Sequence, residues 1–199
     1  MVFRLLFFLI ISLFPLVLAA QKVQTSEKKL IRSGAHEQKM VVLQTINPDE
    51  LVVLQKLSNS IPRGRKVLWK RLSHRMMASV TNPEHLGVGL AAPQVGVNRR
   101  LIIVQRFDQP DRPFQVIVNP EITAVSDSVW EMPEGCLSIP GIRDTVCRPW
   151  QISLKYRCLN GKEYSETVTG FNARIFQHEI DHLNGILITD HIEKKRKNK

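Results

Sequence analysis

Cysteine is scarce in this chain, with three in 199 residues. So small and odd a number excludes a disulfide-framework mini-protein and leaves at least one thiol for another use. Aromatic residues are few, at 7%, and they hardly interleave with the basic blocks, so stacking on single-stranded bases is unsupported. Acidic residues are outnumbered, 18 against 28 Lys and Arg, for a formal net charge of +10. Internal repeats are absent, and low complexity is confined to the C-terminal tail. Only one long uncharged run occurs, Leu5 to Ala20, and it is short of the ~20 residues a spanning helix needs. What is present is ordinary globular composition, 43% hydrophobic and 23% charged, which sets aside wholesale disorder, collagen and coiled coil.

The positive charge is clustered. Lys194 to Lys199 carry +5, and Arg63, Arg65, Lys66, Lys70, Arg71 and Arg75 carry +6 with no acid among residues 63–75. The first cluster reads as a solvated, frayed tail and the second as the solvated face of a helix. Attachment to RNA or an anionic membrane is the functional alternative, without sequence-specific nucleic-acid recognition. The run at 1–20, with Arg4 before it and Val17-Leu18-Ala19-Ala20 at its end, has the layout of a signal peptide or membrane anchor. Lys22, Lys28, Lys29 and Arg32 after it favour a cytoplasm-facing C-terminal side. Residues 21–40 read as a polar linker, 41–192 as the compact domain and 193–199 as a basic tail.

Within the domain, Leu68, Leu72 and Met76 recur at helical spacing and predict a helix over 65–79. Residues 101–104 and 114–118 read as strands. Ile152, Leu154, Tyr156 and Cys158 alternate ahead of Asn160-Gly161, which predicts a type I′ hairpin returning over 163–169. Phe171 to Asn184 predicts a helix ended by Gly185, with apolar residues on several faces and therefore buried. These elements specify an α+β domain, antiparallel β-sheets packed around a buried C-terminal helix.

That helix carries His178-Glu179-Ile180-Asp181-His182, an HExxH motif. Residues at i and i+4 share a helix face, so both imidazoles can reach one metal ion, with Glu179 beside them as general base. Two core histidines are the plain alternative, but burying two His, a Glu and an Asp in five residues is costly without a purpose. A third ligand is needed. In a zinc metallopeptidase, the rival reading, it would lie downstream, yet Ile188 stands where one protease class has histidine and no methionine follows Met132. Only 17 residues follow His182, too few for the downstream glutamate helix of another class. His191 and Glu193 are candidates in principle, but the ligand is expected upstream. Cys136, in Glu134-Gly135-Cys136-Leu137-Ser138, supplies a strong donor for zinc or iron(II). Cys147 and Cys158 are the other thiols and read as core packing. Gly87-Val88-Gly89-Leu90-Ala91-Ala92-Pro93-Gln94 has the bare spacing of a dinucleotide fingerprint, but Pro93 and a preceding helix oppose that reading. A loop that brings backbone close to a ligand fits better, with Gln94 aimed at a developing oxyanion.

Taken in order, Gly87–Gln94, Glu134–Ser138 and Gln177–His182 resemble the three signatures of the peptide deformylases, over about residues 41–190. The resemblance implies removal of the formyl group from N-formylmethionyl peptides, with release of formate. It implies one divalent ion, iron(II) preferred and zinc next, held by Cys136, His178 and His182. Glu179 would be the base, and Gln94 with the Leu137 N–H would hold the oxyanion. Val88, Gly89 and Gly135 would meet the peptide backbone, with Phe171, Ile175 and the stem of Arg174 completing the methionine pocket beside Val88. Glu134 and Arg148 match an ion pair that shapes the site. Family members are usually cytosolic and begin near Met40, so the leader points to export or anchoring while the function points to the cytoplasm. The basic segments suggest the ribosome as a partner and the leader suggests a membrane. A catalytically dead binding module is a third reading, opposed by the intact Glu179, Gln94 and three ligands.

Overall fold

The computed structural model describes residues 22–197. The leader at 1–20 lies outside them. Among the described residues no helix is long and apolar enough to cross a membrane.

The order of elements begins α1 (Thr25–Arg32), α2 (Pro48–Leu54) and α3 (Lys66–Val80). Then come β1 (Gly89–Ala91), a 3-10 turn (Ala92–Val95), β2 (Leu101–Gln105) and β3 (Phe114–Val125). β4 (Val129–Cys136), β5 (Ile139–Pro149), β6 (Gln151–Arg157), β7 (Glu163–Thr169), α4 (Gly170–Leu183) and α5 (Ile188–Lys197) follow. Five strands form one antiparallel sheet in the order β1-β2-β3-β6-β7, and β4 and β5 pair as a separate antiparallel hairpin.

The run Leu101-Ile102-Ile103-Val104 explains the layering. Successive strand side chains point to opposite faces. Leu101 and Ile103 therefore join Leu68, Trp69, Leu72 and Met76 of α3. Ile102 and Val104 join Ala173, Phe176, Ile180 and Leu183 of α4 on the other face. A strand segment buried on both faces is apolar at successive positions, as Leu101 to Val104 are. A third cluster of Leu54, Ile139, Val146, Leu187 and Ile188 ties α2 and α5 to the β4–β5 hairpin. The α+β architecture is as expected, and α4 is the buried helix bearing the histidines.

Several local expectations change. β3 runs past residue 118 because Asn119 takes a left-handed φ of 51° at a register shift. Its side-chain amide grips the Ile61 backbone N–H and C=O, so the strand bends and continues instead of ending at Asn119-Pro120. The turn after β6 is not type I′. Gly161 has φ 95° but Asn160 is not in the positive region, and the loop closes through Cys158 N–H to Lys162 O. Gly185 ends α4 as expected, at φ 72°, where a Cβ would lie 2.2 Å from the Gln55 carbonyl oxygen. The chain then turns into α5, so the basic C-terminus is helical through Lys197, with Lys195 paired to Glu131.

The segment expected to be a linker is folded onto the domain. Val23, Ile31 and Met40 are buried in the α3-side core. Glu27 forms an ion pair with the buried Arg99. Arg71 and Arg75, read from sequence as solvated, donate to the carbonyls of residues 30, 31, 32, 34 and 38. The last carbonyls of α1 and those of the turn after it lack intrahelical partners, so they need such donors.

Candidate active site

Four elements converge on one cavity. β1 and the 3-10 turn supply Gly89 and Gln94, the end of β4 supplies Cys136, and α4 supplies His178, Glu179 and His182. Cys136 sits where the β4–β5 register shifts, so the chain reverses tightly through Leu137-Ser138. The Ser138 N–H points at Cys136 Sγ, 3.4 Å away. One turn of helix separates His178 from His182, and the ligand atoms of Cys136, His178 and His182 lie within 4.8 Å of one another. His182 Nε2 is 3.2 Å from the Cys136 sulfur.

Behind these residues lies a charge network. The Glu134 carboxylate accepts a bidentate pair from Arg148, at 2.6 and 3.0 Å, and a further hydrogen bond from Arg174. It also accepts from His178 Nδ1 at 3.0 Å, which leaves Nε2 of that ring for a metal. Arg148 extends the network to Asp181 at 2.7 Å, and Asp181 in turn meets His191 at 2.8 Å. Glu134 and Arg148 are buried, so they are not a surface pair. Sequence reasoning assigned no role to Asp181 or to the head of Arg174, which spans Glu134 and the Val146 carbonyl and lies 5.0 Å from the Trp130 ring. Asp181 was visible within the HExxH stretch. The head of Arg174 left no comparable signal.

The electrostatics follow from this arrangement. Burial opposes ionisation of Glu134, but hydrogen bonds from His178 and Arg148 outweigh it and hold the carboxyl well below the usual range. Burial also opposes protonation of His178, yet Cys136 and Glu134 push it up to about 10. His182 goes the other way, held well below its usual value by burial and by the His178 and Arg148 charges, so it is a neutral donor. Burial raises Glu179 to about 7, against the pull of His178 and Arg148.

Glu179 Oε2 is buried with no hydrogen-bond partner among the described residues. A Cβ at Gly89 would lie 2.4 Å from Glu179 Oε1, so only glycine lets backbone and carboxylate approach this closely. Gln94 is oriented by its neighbours. Its Oε1 accepts from Ala91 N–H at 2.8 Å, which turns Nε2 toward Ser138 Oγ at 3.2 Å and Cys136 Sγ at 3.6 Å.

The cavity has a volume of about 440 Å³ and is lined by Val88, Gly89, Gln94, Glu134, Gly135, Cys136, Leu137, Phe171, Arg174, Ile175, His178 and Glu179, among others. Arg148 and His182 stand behind this lining. Of the other thiols, Cys158 packs partly buried against the α4-side core, while Cys147 is exposed on β5 and is not core. A cysteine sulfur and two imidazoles form a donor set suited to a borderline divalent cation. The residues fit one metal ion with a place left for water or substrate.

Comparison with known proteins agrees with this geometry. Residues 42–198 match the polypeptide deformylase family model. A peptide deformylase of Chlorobium luteolum is 47% identical over 112 residues, 55% of this chain and 58% of its own length. That alignment therefore spans less than two thirds of the relative. A class I type b peptide deformylase of Acinetobacter baumannii, solved with Met-Ala-Ser bound, superposes with a TM-score of 0.66 at 33% identity, covering 78% of this chain and 99% of that one. The Thermotoga maritima peptide deformylase gives a TM-score of 0.68 at 33% identity, covering 77% and 97%. Matched by the family model over most of its length and by solved members over nearly all of theirs, the chain belongs to the polypeptide deformylase family.

Proposed function

We propose that this protein hydrolyses the formyl group from N-formylmethionyl peptides and releases formate. The observation that carries the reading is the convergence on one cavity of Cys136, His178 and His182 with the buried Glu179, whose Oε2 has no hydrogen-bond partner among the described residues. The Met-Ala-Ser seen in the Acinetobacter baumannii structure is the product such a reaction leaves.

Cys136, His178 and His182 would hold a divalent ion, iron(II) in preference to zinc. When bound, that ion supplies Lewis acidity, acidifying water and polarising a carbonyl oxygen. Glu179 takes a proton from the attacking water and hands it to the leaving amine nitrogen. Its raised pKa suits a group that must both accept and return a proton near neutrality. The Gln94 amide, already turned into the site, and the Leu137 N–H stabilise negative charge on the former formyl oxygen. The peptide runs along Val88 and Gly135 as an added strand, and the methionine side chain meets Val88, Phe171 and Ile175. Glu134, held by Arg148 and Arg174, fixes the His178 ring.

A metallopeptidase reading lacks its downstream ligand, because Ile188 is buried at the start of α5 against Leu54 and Val146. An N-formylmethionyl substrate favours the cytoplasmic side, where the exposed Lys66, Lys70 and Lys194 would meet a polyanion such as the ribosome and the leader would tether the enzyme to the membrane. Sedimentation with ribosomes or membranes at low and high salt tests that placement.

The primary test is formate release by metal-loaded protein from formyl-Met-Ala-Ser, beside an unformylated peptide of the same sequence. Release from the first, with the second left intact, is expected. Cleavage of the unformylated peptide, or no formate from protein that has bound its metal, rejects the proposal.

A further inference from the structure

Beside the middle of α3, outside the constellation described above, a second set of metal-ligand side chains comes together. His36 and Glu37 lie in a turn between α1 and α2, and His74 projects from α3. The ligand atoms of the three lie within 4.8 Å of one another. His36 Nδ1 and His74 Nδ1 are 3.2 Å apart, with the rings nearly perpendicular at 89°. Two nitrogens bound to one tetrahedral zinc at about 2.0–2.1 Å stand about 3.3 Å from each other, so the observed separation is that of two ligands in one sphere.

The turn is held in place independently of any metal. Arg71 donates to the Gly34 carbonyl and Arg75 Nε donates to the Gln38 carbonyl, one on each side of His36-Glu37. Within the turn, Ala35 N–H donates to Gln38 Oε1, and Gln38 N–H donates to the Ala35 carbonyl. The donors are thus presented by backbone already anchored to α3, which lowers the ordering cost of binding. Arg71 and Arg75 bring positive charge that opposes a cation. Both are committed to backbone carbonyls, and Glu37 supplies the countercharge.

We propose that His36, Glu37 and His74 form a second divalent-cation site, of the zinc class, with water completing the coordination. Bound there, the ion clamps the N-terminal segment to α3. His36 and Glu37 precede residue 42, where the family match begins, and none of the three residues lines the cavity described above, so the site stands apart from the deformylase reading.

The test is equilibrium dialysis of the full chain against Zn²⁺, with bound metal measured per protein. Two equivalents are expected for the wild type. His36→Ala and His74→Ala should each retain one, and Cys136→Ala should lose the other. His36 and Glu37 are exposed, so His36→Ala and Glu37→Gln keep the experiment decisive if His74→Ala folds poorly. Limited proteolysis gives a separate readout: Zn²⁺ should slow cleavage between residues 33 and 38 in the wild type and leave His36→Ala unchanged. A single wild-type equivalent that Cys136→Ala abolishes overturns the proposal, as do two equivalents that survive both histidine substitutions. In either case the 3.2 Å approach is an imidazole–imidazole hydrogen bond.

Discussion

Glu179 is set for proton transfer by what it lacks. Its Oε2 is buried without a partner among the described residues, and burial lifts the group to about 7. As a base it works only when deprotonated, so activity is lost as pH falls through its pKa. A bound dication would pull that pKa down, which places the acidic limb of kcat/KM at or below about 7. Glu179→Gln should bind metal normally, lose turnover by about 10²–10⁴-fold and show no such limb. Near-normal turnover in that variant assigns the base elsewhere. Gly89→Ala places a methyl 2.4 Å from Glu179 Oε1 and must displace the carboxylate. A fall in kcat of about a hundred-fold with the fold intact is expected, since a displacement near 1 Å carries that cost. Gln94→Ala should cost ~2.7–4 kcal/mol of transition-state stabilisation, read as lower kcat with little change in KM.

At the scale of elements, the hairpin and α4 are joined by charge as well as by packing. Glu134 on β4 meets Arg148 on β5 and both His178 and Arg174 on α4. Removing Arg148 strips a buried carboxylate of its bidentate partner and leaves Asp181 without that cation. Arg148→Ala should destabilise the protein by about 3–5 kcal/mol in urea denaturation. A loss below about 1 kcal/mol would mean that Arg174 suffices alone and the pair behaves like an exposed one. The helix spacing of His178 and His182, the apolar run of β2 and the Gly185 stop were legible because each depends on local periodicity or backbone conformation. The continuation of β3 through Asn119 was not. That bend depends on Ile61, 58 residues away in sequence, which grips the asparagine amide.

Across the whole molecule, the main surprise is the N-terminal segment. Polar composition at 21–40 suggests a linker, yet Ile31 is fully buried and Arg99, Arg71 and Arg75 hold the surrounding backbone. If the segment is part of the core, Ile31→Ala should cost about 2–5 kcal/mol in denaturant unfolding. A change within about 0.5 kcal/mol is what a solvated linker would give. The buried Arg99, Arg106, Arg148 and Arg174 are matched by acids and contribute nothing to the net charge of +10, which is carried by other bases such as the exposed Lys66, Lys70 and Lys194.

Sequence determined the chemistry, because ligand type and i, i+4 spacing limit what a buried helix can do, and three motifs in order are specific to one family. It also determined which strand must be buried on both faces. Tertiary structure decided the rest. It showed that Arg174 turns its charge to Glu134, that Asp181 links Arg148 to His191, and that Gly89 is glycine because Glu179 lies against it. It also brought His36 and Glu37 to His74. Each of these is a contact between residues far apart in the chain, and nothing in local spacing or composition encodes which distant partner a side chain will meet.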